Sequence, residues 1–200
     1  MNKFIIASNN AKKIKEIERI LNPLGIEALS AEKCGFNLDE VEETGTTFAQ
    51  NAYLKAKAAF DKTGMPAVAD DSGLEVDALN GRPGVYTARY GGEGLTSRQR
   101  YMLLLDEMKD VEKKDRTARF VSEICCILDD NTVITSRGEC EGEIAFSESG
   151  DDGFGYDPIF IEPKSGKSFA QLCAKEKDSI SHRGKALEIL KEKLEKIREK

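Results

Sequence analysis

The chain contains no tryptophan and a single histidine, His182, among its 200 residues. A lone histidine excludes a polyhistidine zinc site. No Gly-x-Ser-x-Gly elbow offers a serine for it to activate, which argues against a Ser-His hydrolase. Cysteine is scarce and poorly spaced for metal: Cys34, Cys125, Cys126, Cys140 and Cys173 are odd in number, form no Cys-x-x-Cys pair and include two neighbours inside an apolar run. They read as buried, reduced thiols of an intracellular protein, which points to the cytoplasm. No stretch approaches the ~18 apolar residues of a membrane span, and the strand-like Lys3 to Ala7 is followed by no longer apolar region, so neither a membrane span nor a secretion signal is expected. Lys and Arg number 30 against 36 Asp and Glu, a net charge of −6. That balance argues against a general nucleic-acid binder, whose affinity comes from basic surface, but leaves room for a small polyanion held by local lysines and a metal.

A chain of this length suits one domain or two tightly joined lobes and can bury roughly 70% of its unfolded surface, so its core needs no staples. The five prolines are scattered, and no repeat or low-complexity segment is visible. The most informative stretch is Ala67-Val-Ala-Asp-Asp-Ser-Gly-Leu-Glu-Val-Asp77, where a short apolar run ends in two adjacent carboxylates, a hydroxyl and a glycine. Ligands of open α/β sheets sit beyond the carboxyl ends of strands, and paired carboxylates there hold divalent cations or activate water. Asp70, Asp71 and Ser72 are therefore the first candidates for chemistry. An Asp-Ser-Gly turn with Asp70 capping the backbone is the competing use of the same residues.

The remaining elements follow from periodicity and caps. After the strand Lys3 to Ala7, Asn9 or Asn10 can cap a helix carrying Ile14, Ile17, Ile20 and Leu21 at helical spacing, and Asn22-Pro23 stops it. Lys12, Lys13 and Lys15 crowd its first turns, where the macrodipole disfavours cations. An anion at the helix start would reverse the conflict; otherwise the lysines point to water. Thr47-Phe-Ala-Gln50 has capping-box form and opens a helix to about Asp61, on which Asn51 and Lys55 share a face and can meet one ligand or a surface partner. Leu95 to Met108 reads as a third helix, Arg116 to Leu128 and Thr132 to Glu141 as a long hairpin, and His182 onward as a last helix with Ala186, Leu187, Leu190, Leu194 and Ile197 as its apolar stripe. The glycines of Gly150 to Gly155 allow close approach to a ligand, or simply a turn. Early βα units followed by a hairpin predict an α/β fold: an elongated mixed sheet flanked by helices, in two lobes with a central cleft.

Two nucleotide signatures fail. Lys164-Ser-Gly-Lys-Ser168 ends like a P-loop, but Ile161 stands where its first glycine belongs. Gly153-Phe-Gly155 begins like a dinucleotide fingerprint, but Pro158 takes the third glycine's place. Several separated segments nonetheless share one pattern: Ala7-Ser-Asn-Asn-Ala-Lys-Lys13; Glu43-Thr-Gly-Thr-Thr-Phe48 with Asn51-Ala52 and Lys55-Ala56; Ala69-Asp-Asp-Ser-Gly-Leu74; Gly81-Arg-Pro-Gly-Val-Tyr86 with Ala88-Arg89; Gly153-Phe-Gly-Tyr-Asp-Pro158; and Ile180-Ser-His-Arg183. In order and spacing they resemble the inosine triphosphate pyrophosphatase or Ham1-like family over nearly the whole chain.

The resemblance implies a single two-lobed domain, residues 1–200, that hydrolyses ITP, XTP and their deoxy forms to monophosphate and pyrophosphate with Mg²⁺, as a homodimer. It implies that Ser8, Asn9, Asn10, Ala11, Lys12, Lys13 and Lys55 hold the triphosphate, and that Glu42 and Asp71 bind the metal. Asp71 would also be the base toward water, Asp70 would support the metal's water shell, and Ser72 would touch substrate. Phe154, Gly155, Tyr156, Asp157, Lys177, His182 and Arg183 would enclose and read the base. Residue chemistry agrees: an acidic protein needs Lys13, Lys55 and Mg²⁺ to attract a triphosphate. The 6-oxo group of hypoxanthine or xanthine suits the Arg183 guanidinium or a backbone N–H, whereas the adenine amino group does not.

Two departures stand out: Ser149-Gly-Asp-Asp-Gly153 replaces the family's usual Gly-Thr-Gly-Gly, and Ser122-Glu123 stands where a small or apolar pair is common. Two rival functions remain at this point, a nucleotide sensor without turnover and a Maf-like pyrophosphatase acting on other bases.

Overall fold

The computed structural model describes residues 3–35, 37–38 and 41–198. The chain first alternates strand and helix: β1 (Lys3–Ile6), α1 (Ala11–Leu21), β2 (Glu27–Ser30), α2 (Phe48–Thr63) and β3 (Ala67–Val76). There follow α3 (Ser97–Glu107), the long strands β4 (Thr117–Asp129) and β5 (Thr132–Ile144), the short β6 (Phe160–Ile161), α4 (Ala174–Ile180) and α5 (His182–Arg198). Among the described residues the strands form one sheet in the order β2-β1-β3-β4-β5-β6. β1 runs parallel to β2 and β3, whereas β5 and β6 are antiparallel, so the sheet is mixed and the α/β expectation holds. No helix among these residues is long and apolar enough to cross a membrane.

The chain divides into two compact units, Met1–Asp71 with Ser122–Gly138 and Arg183–Lys200, and Ser72–Val121 with Glu139–His182. In the first unit β1 is buried on both faces, as a strand flanked by parallel neighbours must be. Phe4 and Ile6 pack with Ile17 and Leu21 of α1 and with Ala186, Leu187, Leu190 and Leu194 of α5. Ile5 and Ala7, pointing the other way by the two-residue period, pack with Ala52, Ala56 and Ala59 of α2. Small alanines let α2 lie close to the sheet. Ile5 and Ile6 are wholly buried, so truncating either to alanine should cost about 2–5 kcal/mol. The second unit has its own core around Leu74, Val76, Leu104 and the aromatic group Phe120, Phe160 and Phe169. Those rings lie 4.5 to 5.7 Å apart between centroids, in tilted, edge-on and stacked pairs.

Most helix starts follow the expected chemistry. Asn10 caps α1 by accepting from the N–H groups of Lys12 and Lys13. Thr96 and Gln99 form a complete capping box on α3. On α2, Thr47 accepts from the Gln50 N–H, but the Gln50 side chain reaches back one residue further, to Thr46. Three expectations are corrected. The acidic segment is neither a strand end nor a turn: β3 continues through Asp70, Asp71 and Ser72 to Val76. Ile197 is 41% exposed and lies off the stripe of α5. None of the five cysteines is in a disulfide, but only Cys125, Cys126 and Cys140 are buried; Cys34 is half-buried and Cys173 exposed. Burial pushes the Cys125 thiol up to about 11 and that of Cys126 higher still, which leaves both inert.

Candidate active site

In the first unit, β3 carries two adjacent carboxylates into a setting built by α1, α2, β4 and α5. Side chains alternate along a strand, so Asp70 and Asp71 point to opposite faces and gather different partners. Asp70 is almost wholly buried. Its Oδ2 meets Lys13 Nζ at 2.7 Å and the Arg183 guanidinium at 3.2 Å, while its Oδ1 accepts from the Ser122 hydroxyl at 2.5 Å. Arg183 also pairs with Glu16 on α1. Burial alone would raise the Asp70 pKa, but the charges of Arg183 and Lys13, with the bonds from Lys13 and Ser122, hold it well below the ordinary 3.8. For Lys13 the balance goes the other way: burial outweighs the pull of Asp70, and its pKa is lowered.

Asp71 faces Lys55, whose ammonium donates to Asp71 Oδ1 at 2.8 Å and to the Asp70 carbonyl oxygen at 3.1 Å, and pairs with Glu43 at 2.9 Å. Burial pushes the Asp71 pKa upward against the pull of Lys55. In Lys55 burial is outweighed by Asp71 and Glu43, and its pKa is raised. Asn51, one turn before Lys55 on α2, does not share its partners. Its side-chain oxygen accepts from the Gly45 N–H at 2.8 Å. A Cβ on residue 45 would lie 2.5 Å from that oxygen, so glycine is what lets the segment bearing Glu43 sit down on α2.

The phosphate candidates at the start of α1 are arranged differently from the expectation. Ser8 is buried and its hydroxyl accepts from Asn10 N–H, and Asn10 in turn occupies the N–H groups of Lys12 and Lys13. Two of the donors expected to face an anion are therefore already satisfied by the cap. Ser8, Asn9 and Ala11 line a cavity of about 610 Å³ together with Ile14, Ser30, Glu32, Gly35 and Asn37. Lys12 and Glu42 are exposed. Among the described residues no three His, Cys, Asp or Glu side chains gather as a metal cluster.

The second unit holds the other candidates. Asp157 is buried; its Oδ2 accepts from the Phe154 N–H at 2.6 Å and from Lys177 Nζ at 2.7 Å. Gly153, at φ +77°, passes so close that a Cβ there would lie 2.2 Å from the same oxygen. The Lys177 ammonium lies 4.6 Å from the centre of the Phe154 ring, a cation–π contact that fixes the ring from one side. Gly155 takes a left-handed φ of +63°, Tyr156 is buried with its hydroxyl donating to the Thr87 carbonyl, and Ser72 is half-buried. His182 is buried and stacks on Phe120 at 4.8 Å. Arg183 belongs to the Asp70 cluster of the first unit, a placement its expected base-reading role did not foresee. Glu16, Glu43 and Ser122 were missed as partners. Helical spacing from Lys13 could have exposed Glu16, but nothing local to the sequence pairs Ser122 with Asp70.

An α/β protein that sets strand-borne carboxylates against buried lysines is of a class suited to polyphosphates and their counter-ions. The chain belongs to the Ham1 family, whose profile matches residues 4–193. It is 45% identical over 194 residues to the dITP/XTP pyrophosphatase of Haemophilus influenzae, covering 96% of this chain and 98% of that one. It is 44% identical to the dITP/XTP pyrophosphatase of Clostridium perfringens, covering 98% and 99%. The solved HAM1 protein of Coxiella burnetii superposes with a TM-score of 0.90 at 39% identity, covering 98% of this chain and all of that one. The Staphylococcus aureus Ham1 protein gives 0.86 at 41%, covering 97% and 98%.

Proposed function

We propose that this chain is a nucleoside triphosphate pyrophosphatase that hydrolyses ITP, XTP and their deoxy forms to the monophosphate and pyrophosphate. The observation that carries the reading is the Lys13-Asp70 and Lys55-Asp71 arrangement on β3, in a chain sharing 45% identity over its length with a dITP/XTP pyrophosphatase. A triphosphate brings about four negative charges, and an acidic protein must offset them locally. Lys13 and Lys55 supply the protein's cations, with Ser8 to Lys12 beside them.

The donor set suits Mg²⁺. This ion keeps several waters and takes one or two carboxylates plus substrate oxygens rather than a full protein cage. Asp71 and Glu42 would hold it, and Glu43, already 2.9 Å from Lys55, adds negative charge beside them. When bound, the metal neutralises charge on the phosphates and on departing pyrophosphate. Asp71 accepts the proton of the water that attacks the α-phosphorus, and Lys13 and Lys55 stabilise the leaving group. Attack by water needs no covalent intermediate. Phe154, held by Lys177 and Asp157, stacks on the purine, and His182 and Arg183 complete recognition of the 6-oxo base. We further assign the chain to a single two-lobed domain, a homodimer and the cytoplasm, the last because buried thiols outside any disulfide suit a reducing compartment.

The test is pyrophosphate and orthophosphate release from ITP, XTP, GTP, ATP and dTTP, with Mg²⁺ and with chelator. Metal-dependent pyrophosphate from ITP and XTP, with little from ATP, supports the reading. Turnover confined to dTTP or other bases transfers the chain to Maf-like chemistry, and binding without product makes it a sensor.

A further inference from the structure

We infer that Glu43 stands in for a phosphate oxygen on Lys55 in the ligand-free protein, so that triphosphate binding at this lysine is an exchange of one anion for another. The inference rests on the pyrophosphatase reading for the identity of the incoming anion. An ammonium group has three donors. Those of Lys55 meet three acceptors: Asp71 Oδ1 at 2.8 Å, the Asp70 carbonyl oxygen at 3.1 Å and Glu43 Oε1 at 2.9 Å. A phosphate oxygen can bond to this ammonium only by displacing one of them. Two are fixed by β3, since the carbonyl is main chain and the Asp71 side chain is only 11% exposed. Glu43 lies outside the sheet, and its side chain is 32% exposed, so its carboxylate has water to turn to. Glu43 is the acceptor that leaves.

The pair is built into the fold. Residues 43–46 lie along the start of α2, with Glu43 on Lys55, the Gly45 N–H on Asn51 Oδ1 at 2.8 Å, and the Thr46 N–H and hydroxyl on Gln50 Oε1 at 2.8 and 3.1 Å. Asn51 is wholly buried, which makes its oxygen a fixed peg for this segment. These bonds hold the backbone beside Glu43 whether or not its carboxylate is engaged, so the exchange moves a side chain and leaves the segment in place. Lys13 is disposed differently. Among the described residues its ammonium has one acceptor, Asp70 Oδ2 at 2.7 Å, so a phosphate adds to it without displacing anything. Both lysines touch Asp70, one through its side chain and the other through its carbonyl, which puts them within reach of a single chain of phosphates. The first anionic contact is therefore Lys13, and Lys55 joins only when Glu43 gives way. The cost of separating Glu43 from Lys55 also falls on the product pyrophosphate, and so favours its departure.

The experiment measures calorimetric binding of inorganic pyrophosphate, with chelator present, to wild type, Glu43→Ala, Glu43→Gln, Lys55→Met and the double variant Glu43→Ala with Lys55→Met; a crystal structure of the wild type with pyrophosphate accompanies it. Glu43→Ala should bind pyrophosphate about tenfold more tightly than wild type, the worth of roughly one hydrogen bond to a charged group. Glu43→Gln, which keeps a neutral acceptor for Lys55, should gain less. In the Lys55→Met background the gain from Glu43→Ala should fall below about twofold, because only screened repulsion from a part-exposed carboxylate is then relieved. Equal gains in both backgrounds mean that Glu43 acts by general repulsion and overturn the inference, as does unchanged or undetectable binding by Glu43→Ala. In the crystal structure a pyrophosphate oxygen should sit on Lys55, with Glu43 more than about 4 Å away, beyond ion-pair range. Pyrophosphate on Lys55 with Glu43 still in place overturns the inference even if the Lys55→Met proteins do not fold. Wild-type protein that makes this exchange yet turns over no nucleotide overturns the pyrophosphatase reading instead, and leaves the role of Glu43 standing.

Discussion

Replacing Asp70 by asparagine removes one charge from a site that holds two buried cations. The volume is conserved, but Lys13 and Arg183 then face a neutral amide whose NH₂ group is itself a donor. Breaking a buried ion pair by removing one partner costs about 3–5 kcal/mol. Two features place Asp70→Asn at the low end, ~3 kcal/mol by the same rule: Glu16 still pairs with Arg183, and the Lys13 side chain is 17% exposed. For a chain of this size each kcal/mol moves the melting temperature by about 2–4 °C, so a fall of roughly 6–12 °C is expected. The loss must also depend on pH. The folded-state pKa of Asp70 lies below its ordinary 3.8, so its stabilisation is complete above 3.8 and disappears as pH falls through the depressed value. Urea unfolding at pH 7 should separate wild type from variant by ~3 kcal/mol, and the gap should close at progressively lower pH, below about 3.8. A gap under about 1 kcal/mol at pH 7, or one that does not narrow in acid, refutes the argument that Asp70 is the counter-charge of this cluster.

Asp71→Asn should lower kcat for ITP by about 10²–10⁴-fold while the circular dichroism spectrum stays that of the wild type; near-normal turnover removes the base assignment. Lys13→Ala should raise KM for ITP about tenfold or more through loss of a charged hydrogen-bond donor, and unchanged kinetics would count against its phosphate role. Arg183→Ala should erase the preference for ITP over ATP in competition assays, and should also lower stability by ~3 kcal/mol because Glu16 and Asp70 lose their shared partner. Retained selectivity in a folded Arg183→Ala protein would move base reading to other residues.

Long periodic segments were legible in the sequence. The cap of α1, narrowed in the sequence to Asn9 or Asn10, and the hairpin of β4 and β5 each rest on local chemistry that a linear reading captures. Short or featureless segments were not: β2 is four residues of weak strand formers, β6 has two residues, and α4 is mostly charged, with Ile180 as its large apolar residue. The acid pair was recognised as chemistry but placed at a strand end, because a linear reading assigns adjacent buried carboxylates no interior partners. Their partners come from residues 13, 55, 122 and 183, and such long-range pairing decides that β3 can run through them. The same holds for Arg183, whose motif pointed to the base and whose side chain sits with Asp70.

The loop that carries Asp151 and Asp152 is anchored on either side of them. Ser149 is held through its carbonyl by the Ser168 hydroxyl and through its N–H by the Pro158 carbonyl, and the Asp152 N–H donates to the Ala170 carbonyl. Beyond them Asp157 ties down Phe154. All of these anchors on residues 149 and 152 use main-chain atoms of the loop, so they survive a change of side chain, while Asp151 and Asp152 themselves are exposed. The frame thus separates side-chain charge from main-chain position: residues 151 and 152 can change their electrostatic character while the aromatic ring of Phe154 keeps its place.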